Sequence, residues 1–96
     1  MTYIEFLQDA ILKTHGCRSV HARTVPVHET FKGQTVWQGD VEVFELAGHP
    51  KARTGYAWGY TEDGQEMRAV AVLGLPPITD AQAAVQAFIV SEQKKA

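Results

Sequence analysis

The sequence predicts one α+β domain, residues 1–96, in which a four-stranded antiparallel sheet lies between an N-terminal and a C-terminal helix. Three observations predict it: apolar residues at helical spacing near both ends, alternating β patterns between them, and short connections that favour a meander. The 96 residues suffice for one modest core that buries roughly 60–65 % of the unfolded surface. With 45 % hydrophobic and 21 % charged residues, the composition is that of an ordinary globular protein.

The first helix is expected over residues 3–14. Thr2 and Glu5 form a Thr-x-x-Glu capping box, in which the hydroxyl and the carboxylate satisfy free amides of the first turn. Gly16 supplies a C-terminal stop. Between these signals the apolar residues recur at helical spacing: Ile4, Leu7, Ile11 and Leu12.

Two β-strands are expected next, over residues 18–31 and 35–46, with Lys32-Gly33 as the tight turn between them. Pro26 lacks an amide donor, which places the first strand at a sheet edge or at a bulge. Gly39-Asp40 is the one irregularity of the second strand and predicts a bulge near the point opposite Pro26.

The two-residue turn also sets a register for this hairpin. His21 and His28 are seven residues apart, so they are expected on opposite faces unless Pro26 introduces a bulge. An opposite-charge pair across the strands is a favourable consequence of the register. The expected pairs are Phe31 with Gln34, His28 with Trp37, Arg23 with Glu42, and His21 with Phe44.

A second hairpin is expected from strands over residues 54–61 and 66–73, joined at the turn signal Glu62-Asp63-Gly64-Gln65. If Asp63-Gly64 are the two loop residues, three aromatic residues share one side of the third strand. Their expected partners follow: Tyr60 with Met67, Trp58 with Ala69, and Tyr56 with Ala71.

The second helix is expected to follow Pro76-Pro77, which ends the sheet, and to run to about residue 93. Thr79 or Asp80 caps it, with Gln82 completing a Thr-x-x-Gln box, and residues 94–96 are expected to be a frayed tail. The residues of its apolar face are Ala81, Ala84, Val85, Phe88 and Ile89.

Both helices are expected on one face of the sheet, over a side whose small residues let a helix approach closely: Gly55, Ala57 and Gly59, with Val70 and Val72. The opposite side would then lack cover, although an antiparallel sheet with one wet face should alternate cleanly between apolar and polar residues. Since exposed apolar patches mark interaction sites and two-fold dimers are the commonest oligomers, the sequence predicts a homodimer. Its expected interface comprises Trp37, Tyr56, Trp58 and Tyr60. The alternative is a monomer whose curved sheet encloses these aromatics as a pocket.

The candidate catalytic residues are two carboxylates and two histidines. Asp40 and Glu42 alternate onto one face, and paired carboxylates act as acid and base when burial separates their pKa values. A solvated sheet edge explains them as well. His28 on the first strand and His49 in the loop 47–51 are the histidines that would complete an acid–base pair.

No metal or cofactor is expected from the motifs. The sequence contains no Cys-x-x-Cys, His-x-His or His-Glu-x-x-His spacing, and a metal site needs three or four convergent ligands. A glycine-rich phosphate loop is also lacking, because Gly55-x-x-x-Gly59 lies within a strand with no following helix or lysine.

Charge and cysteine content narrow the partners and the compartment. The net charge is −2 and the basic clusters are two short ones, which argues against nucleic acid as a partner. The longest apolar stretch, 69–78, is broken by Gly74 and two prolines and falls short of the about 20 residues that span a bilayer. A single cysteine, Cys17, and the lack of a secretion signal favour the cytoplasm.

Several segments together resemble a family of small bacterial hypothetical proteins found in environmental DNA and on integron gene cassettes. The segments that carry the resemblance are 35–44, 48–52, 56–58, 76–77 and 84–87. In that family a cysteine often precedes the Tyr-Ala-Trp of 56–58, and Gly55 stands there in this chain, so no thiol role carries over. Because the family has no assigned activity, the resemblance implies no site residues.

Three functional hypotheses follow from these observations. The first is a non-enzymatic oligomeric protein that binds a partner protein or a small apolar ligand through the aromatic side of the sheet. The second is a small enzyme with a His/carboxylate acid–base pair in a pocket closed by Trp37 and Trp58. The third is a nucleic-acid platform on which bases stack on the aromatics of the third strand.

Overall fold

The computed structural model describes residues 1–61, 64 and 66–95, apart from the side chains of residues 94 and 95. It confirms the α+β fold with the order α-β-β-β-β-α, in which the sheet is an antiparallel meander, β1-β2-β3-β4. The elements are α1 (Tyr3–His15), β1 (Arg18–Phe31), β2 (Gln34–Ala47), β3 (Thr54–Tyr60), β4 (Arg68–Leu73) and α2 (Ala81–Lys95). Within this described part, neither helix is long and apolar enough to cross a membrane.

Helix α1 begins and ends as its sequence signals predict. Glu5 N–H donates to Thr2 Oγ1 at 3.1 Å, and Thr2 N–H donates to Glu5 Oε1 at 2.9 Å, which completes the capping box. The hydrogen bonds from the backbone and hydroxyl of Thr2 lower the pKa of Glu5 below its ordinary value. Gly16 takes the left-handed conformation, φ 71°, and its N–H donates to the Leu12 carbonyl.

Helix α2 has one of its two predicted caps, Asp80, but differs from the prediction in the role of Gln82 and in its end. Asp80 caps the helix, because its Oδ1 accepts from Ala83 N–H at 2.7 Å. The Gln82 side chain instead donates to Glu29 Oε1 on β1, at 2.7 Å. The helix also continues to Lys95, so residues 94 and 95 are helical rather than a frayed tail, and Ala96 lies outside the described residues.

The β1–β2 hairpin keeps the predicted register at both ends and is shifted by one residue between them. Phe31 pairs with Gln34 and His21 with Phe44, as predicted. One extra residue on each strand, Ala22 on β1 and Val36 on β2, offsets the pairs that lie between. The predicted pairs of Arg23 with Glu42 and of His28 with Trp37 are therefore wrong; the observed pairs are Arg23 with Val43 and His28 with Gln38.

Pro26 lies on an edge strand, one of its two predicted positions. It pairs regularly with Asp40, so the predicted bulge at Gly39-Asp40 is wrong. No bulge is needed there, because β1 is the first strand of the sheet and the missing N–H of a proline is tolerated when it faces outward.

The β3–β4 register also differs by one residue from the prediction. Tyr56 pairs with Val72, Trp58 with Val70 and Tyr60 with Arg68. The prediction assumed a two-residue loop, whereas β3 ends at Tyr60 and β4 begins at Arg68. Of the predicted turn, residues 62, 63 and 65 lie outside the described part of the chain. Because side chains alternate along a strand, this slip moves every β4 side chain to the other face.

The prediction that both helices share one face is wrong, because the helices lie on opposite faces of the sheet. Helix α1 packs with Leu7 and Ile11 on Phe44 and Ala57. Helix α2 covers the other face, where its apolar residues Ala84 and Val85 join a core of Val41, Val43, Tyr56 and Trp58. The observed register places Val70 and Val72 with Tyr56 and Trp58, so each face has enough apolar surface for one helix. The two apolar faces of the sheet are thus covered within one chain.

Candidate functional site

Strands β2 and β3 pair along part of their length and separate beyond it. Their ladder runs from Glu45 and Thr54 to Glu42 and Ala57. Strand β2 begins eight residues before Glu42, and β3 continues to Tyr60, yet no pairs join them there. The sheet is consequently split between its two central strands at one end.

The ladder ends just before the pair that would bond Asp40 to Gly59. Leu46 N–H donates to the Arg53 carbonyl at 2.8 Å, which marks that pair as a hydrogen-bonded one. Hydrogen-bonded and non-bonded pairs alternate in an antiparallel ladder, so the even-numbered residues of β2 are the ones that bond to β3. If the ladder continued, the next bonded pair would be Asp40 with Gly59. The main-chain groups of Asp40 therefore point towards β3 without a partner strand.

Tyr3, the first residue of α1, occupies the place where the strands would meet. Its hydroxyl accepts from Gly59 N–H at 2.8 Å, so Gly59 bonds to the helix instead of to β2. The phenol ring lies directly against Gly59: a Cβ there would come within 2.9 Å of Tyr3 Cε1 and of Met67 Sδ. Glycine at this strand position allows the close approach. We refer to the resulting space between the strands as the fork cleft.

Two indole rings form the aromatic wall of the fork cleft. Trp37 and Trp58 are edge-to-face, with ring centroids 5.5 Å apart and ring planes at 71°. Trp58 is 2 % exposed and is backed by Phe88 of α2, again at 5.5 Å. Trp37 is only half-buried and lies over Gly39, where a Cβ would be 3.3 Å from its indole.

A buried carboxylate, Glu42, faces the cleft from β2. Its side chain is 8 % exposed, and its Oε1 accepts hydrogen bonds from His21 Nε2, at 2.8 Å, and from Thr24 Oγ1. Its Oε2 accepts none from the described residues. The extra residue Ala22 brings His21 and Thr24 onto the same face of β1, so that both reach one carboxylate oxygen.

The cleft is acidic and of a size that suits a small molecule. Its volume is about 450 Å³, within the usual range for ligand pockets. Two of its residues are carboxylates, Asp40 and Glu42, and none of the described residues that line it is Lys, Arg or His. Asp40 is exposed and forms no ion pair within the described chain. The residues that line the cleft are Tyr3, Trp37, Gln38, Gly39, Asp40, Glu42, Trp58, Gly59 and Tyr60.

The structure brings together five of the residues predicted as site residues and leaves three outside. The five that line the fork cleft are Trp37, Asp40, Glu42, Trp58 and Tyr60. Tyr56 is buried beneath α2, where desolvation, with Asp80 nearby, raises its pKa above the ordinary value of 10.0. His28 and His49 lie elsewhere on the surface.

Among the described residues, neither His28 nor His49 pairs with a carboxylate. His28 shares a hydrogen bond with Thr35 Oγ1 at 2.7 Å, on the exposed surface of the hairpin. His49 Nδ1 accepts from the amides of Lys51 and Ala52, at 3.1 and 2.8 Å, and so closes the turn before β3. The histidine that does pair with a carboxylate is His21, which the sequence analysis did not select as a site residue. Among the described residues no three His, Cys, Asp or Glu side chains converge as metal ligands would.

The aromatic side of the sheet is covered by the chain itself, so the premise of the predicted interface is wrong. Tyr56 and Trp58 are 3 % and 2 % exposed. Rings that are buried in this way offer no platform for stacked bases and no patch for a second copy. The aromatic side is open only at the fork cleft.

Comparison with known proteins adds no function to this geometry. The chain matches no protein family model, no curated protein and no solved structure. The resemblance to integron-cassette proteins stays a prediction.

Proposed function

We propose that this protein binds a small organic molecule in the fork cleft, with an aromatic or apolar part of the ligand against the half-buried Trp37, which the buried Trp58 supports. The observation that carries the proposal is that the sheet separates beside its two indole rings, where an aromatic wall meets a few polar groups. Ligand pockets are typically built in this way. The sequence predicted that a small apolar ligand binds on an open face of the sheet. The proposed binding place is now the fork cleft.

The unpaired main chain supports the same proposal. Backbone N–H and C=O groups in proteins are nearly always paired, and two central strands would gain bonds by continuing their ladder. Here Tyr3 takes the Gly59 amide, and the Asp40 main chain is left open to the cleft. A ligand with a donor or an acceptor finds partners there that a continuous sheet would not offer.

The two tryptophans of the chain, Trp37 and Trp58, both line the cleft and serve as reporters for a test with benzyl alcohol. At about 0.4 kcal/mol per non-hydrogen atom its eight atoms give ~3 kcal/mol, a millimolar Kd. We expect saturable shifts of both indole N–H signals in NMR titrations. Trp37→Ala should weaken binding, whereas Phe31→Ala, at the far tip of the hairpin, should not. Equal affinity in Trp37→Ala, or shifts that map elsewhere, would refute the proposal.

We propose acid–base catalysis in the same cleft as a second function, because Glu42 is buried and held by His21. Glu42 would be the base, and His21 would position it. The base-promoted ring opening of 5-nitrobenzisoxazole is a general probe for a carboxylate in an apolar cleft. Catalysis is supported if the wild-type protein exceeds the rate in buffer and Glu42→Gln does not. Equal rates in both proteins would contradict catalysis and leave ligand binding as the proposed function.

Self-association stays a prediction, but the surface proposed for it is no longer the aromatic side of the sheet. Phe31, Val36 and Val90 are 63 %, 46 % and 49 % exposed and line one groove between the β1–β2 hairpin and α2. We propose this groove as the contact of a homodimer. Sedimentation velocity should show a dimer at micromolar concentration that Phe31→Ser converts to a monomer. A monomeric wild-type protein would end the proposal.

We also propose a cytoplasmic location. Its support is Cys17, the single cysteine, which is buried and free. Fractionation of expressing cells would test it, and recovery in a secreted or membrane fraction would contradict it.

A further inference from the structure

Glu42 presents a carboxylate with one oxygen held by the protein and the other open to the cleft: among the described residues, Oε2 is not a buried atom without a partner. Its side chain is 8 % exposed, its Oε1 takes both available donors, and its Oε2 has no donor among the described residues. Buried charges are normally paired and hydrogen-bonded, since desolvation otherwise costs stability. A donor that arrives with a ligand would supply the missing partner, and a charged donor would bond more strongly than a neutral one.

The rest of the fork cleft favours the same charge. Indole faces attract cations through the ring quadrupole. Trp37 reaches the fork cleft from the face of the sheet that α2 covers, and Glu42 reaches it from the face that α1 covers. Asp40 adds a second negative charge at the exposed side of the cleft and would steer cations towards it. Two carboxylates with aromatic neighbours suit an organic cation better than a metal ion, which needs more oxygen or nitrogen ligands.

We propose that the ligand of the fork cleft is an organic cation, an ammonium group carried on an aromatic or apolar body. The inference rests on the proposed binding function and names its ligand class. The ammonium donates to Glu42 Oε2, and the apolar body extends between the separated strands to Trp37. Anions are disfavoured by both carboxylates, and neutral ligands leave Glu42 without a charged partner.

Three probes of nearly equal shape separate ligand charge from ligand shape: benzylamine, benzyl alcohol and benzoate. Their affinities are measured at pH 7.5 in low salt from the Trp37 and Trp58 indole signals. Benzylamine should bind about 10-fold more tightly than benzyl alcohol, because its ammonium adds the attraction of opposite charges to a hydrogen bond that either ligand can donate. Benzoate should bind more weakly than either.

Variants assign the preference to Glu42. In Glu42→Gln the ratio of benzylamine to benzyl alcohol affinity should fall to about 2 or less, while benzyl alcohol still binds. Should that variant fail to fold, Asp40→Asn at the exposed position should lower benzylamine affinity about 2–3-fold and reduce its salt dependence. Glu45→Gln is the matched control, because Glu45 is exposed on the same strand and does not line the cleft.

The outcomes distinguish the ligand class from the binding function. Equal affinities for benzylamine and benzyl alcohol in the wild-type protein would overturn the cation proposal and leave cleft binding intact. If none of the three probes shifts the indole signals, the binding function itself is refuted. A preference for benzylamine that persists in both Glu42→Gln and Asp40→Asn would also overturn the proposed role of the carboxylates.

Discussion

The two ends of the β2–β3 pair differ although the same two strands form both. At one end, Val43, Phe44 and Ala57 are 0–1 % exposed, the ladder is continuous, and a helix lies on each face. At the other end the strands separate, Trp37 is half-exposed, and Asp40 has no partner strand on the β3 side. The comparison shows that the core and the candidate site use adjacent residues of one strand pair.

Two features accompany the separation of the strands. The separated part of β2 contains the extra residue Val36, which shifts its pairing with β1. A helix side chain, Tyr3, replaces one ladder hydrogen bond at Gly59. Of these two features, only Tyr3 contacts a group that would otherwise bond to β2.

The largest expected effect compares one aromatic residue from each end. Phe44→Ala should lower the free energy of unfolding by about 3–5 kcal/mol, because Phe44 is fully buried under α1. Trp37→Ala should cost roughly 1–2 kcal/mol, since the indole is only partly buried. Urea unfolding of both variants provides the measurement. Equal losses would show that the open end is packed as tightly as the closed one.

A smaller effect is expected at Gly59, where the fork cleft begins. The new Cβ in Gly59→Ala would lie 2.9 Å from Tyr3 Cε1 and Met67 Sδ, so the phenol ring must move. We expect a loss of about 1–2 kcal/mol in unfolding free energy. In a Tyr3→Ala background the same substitution should cost clearly less, as a double-mutant cycle would reveal. An equal cost in both backgrounds would show that the contact with Tyr3 does not cause the loss of stability.

How much was predictable differs between local and non-local features. The capping box at Thr2, the stop at Gly16 and the order of elements follow from local signals, and the structure confirms them. The β1–β2 register depends on extra residues at Ala22 and Val36, which are neither Gly nor Pro and give no turn signal. The β3–β4 register was predicted one residue away from the observed one. That error put the β4 side chains on the wrong face and led to the prediction that both helices lie on one side of the sheet.

The candidate site divides in the same way. Trp37, Trp58, Asp40 and Glu42 could be selected because aromatic and acidic residues stand close together in two strands. His21 could not, because its face depends on the bulge at Ala22. Two further residues of the fork cleft, Tyr3 and Gly59, are marked only by weak signals in the sequence.

Those two residues are Tyr3 and Gly59, which are 56 positions apart in sequence. Gly59 is a glycine inside a strand, a position that often marks a close approach. Tyr3 lies one turn before Leu7 and two turns before Ile11, so it continues the apolar stripe of α1. Neither signal identifies the other residue, so their contact was not predictable from the sequence.

The smallest expected effect concerns the cap that holds Tyr3 in place. Thr2→Ala should cost about 1 kcal/mol or less, because it removes one partner of the capping box next to Tyr3. The pKa of Glu5 is lowered in the folded state, so its contribution is present above the ordinary value of 4.5 and is lost as the pH falls below it. Thermal unfolding between pH 3 and 7 should show a smaller acid-side loss in Thr2→Ala than in the wild-type protein. Identical pH profiles would contradict this role of the cap.

The central claim, that the Tyr3 hydroxyl keeps β2 and β3 apart, is tested most directly by one cross-strand NOE. If the ladder continued, Gly39 and Tyr60 would form a non-bonded pair with close Hα atoms, like Val43 and Tyr56 in the closed part. We expect an Hα–Hα cross-peak for Val43 and Tyr56 in the wild-type protein and none for Gly39 and Tyr60. In Tyr3→Phe, where Gly59 N–H loses its partner, the second cross-peak should appear. A strong cross-peak between Gly39 and Tyr60 in the wild-type protein would contradict the claim.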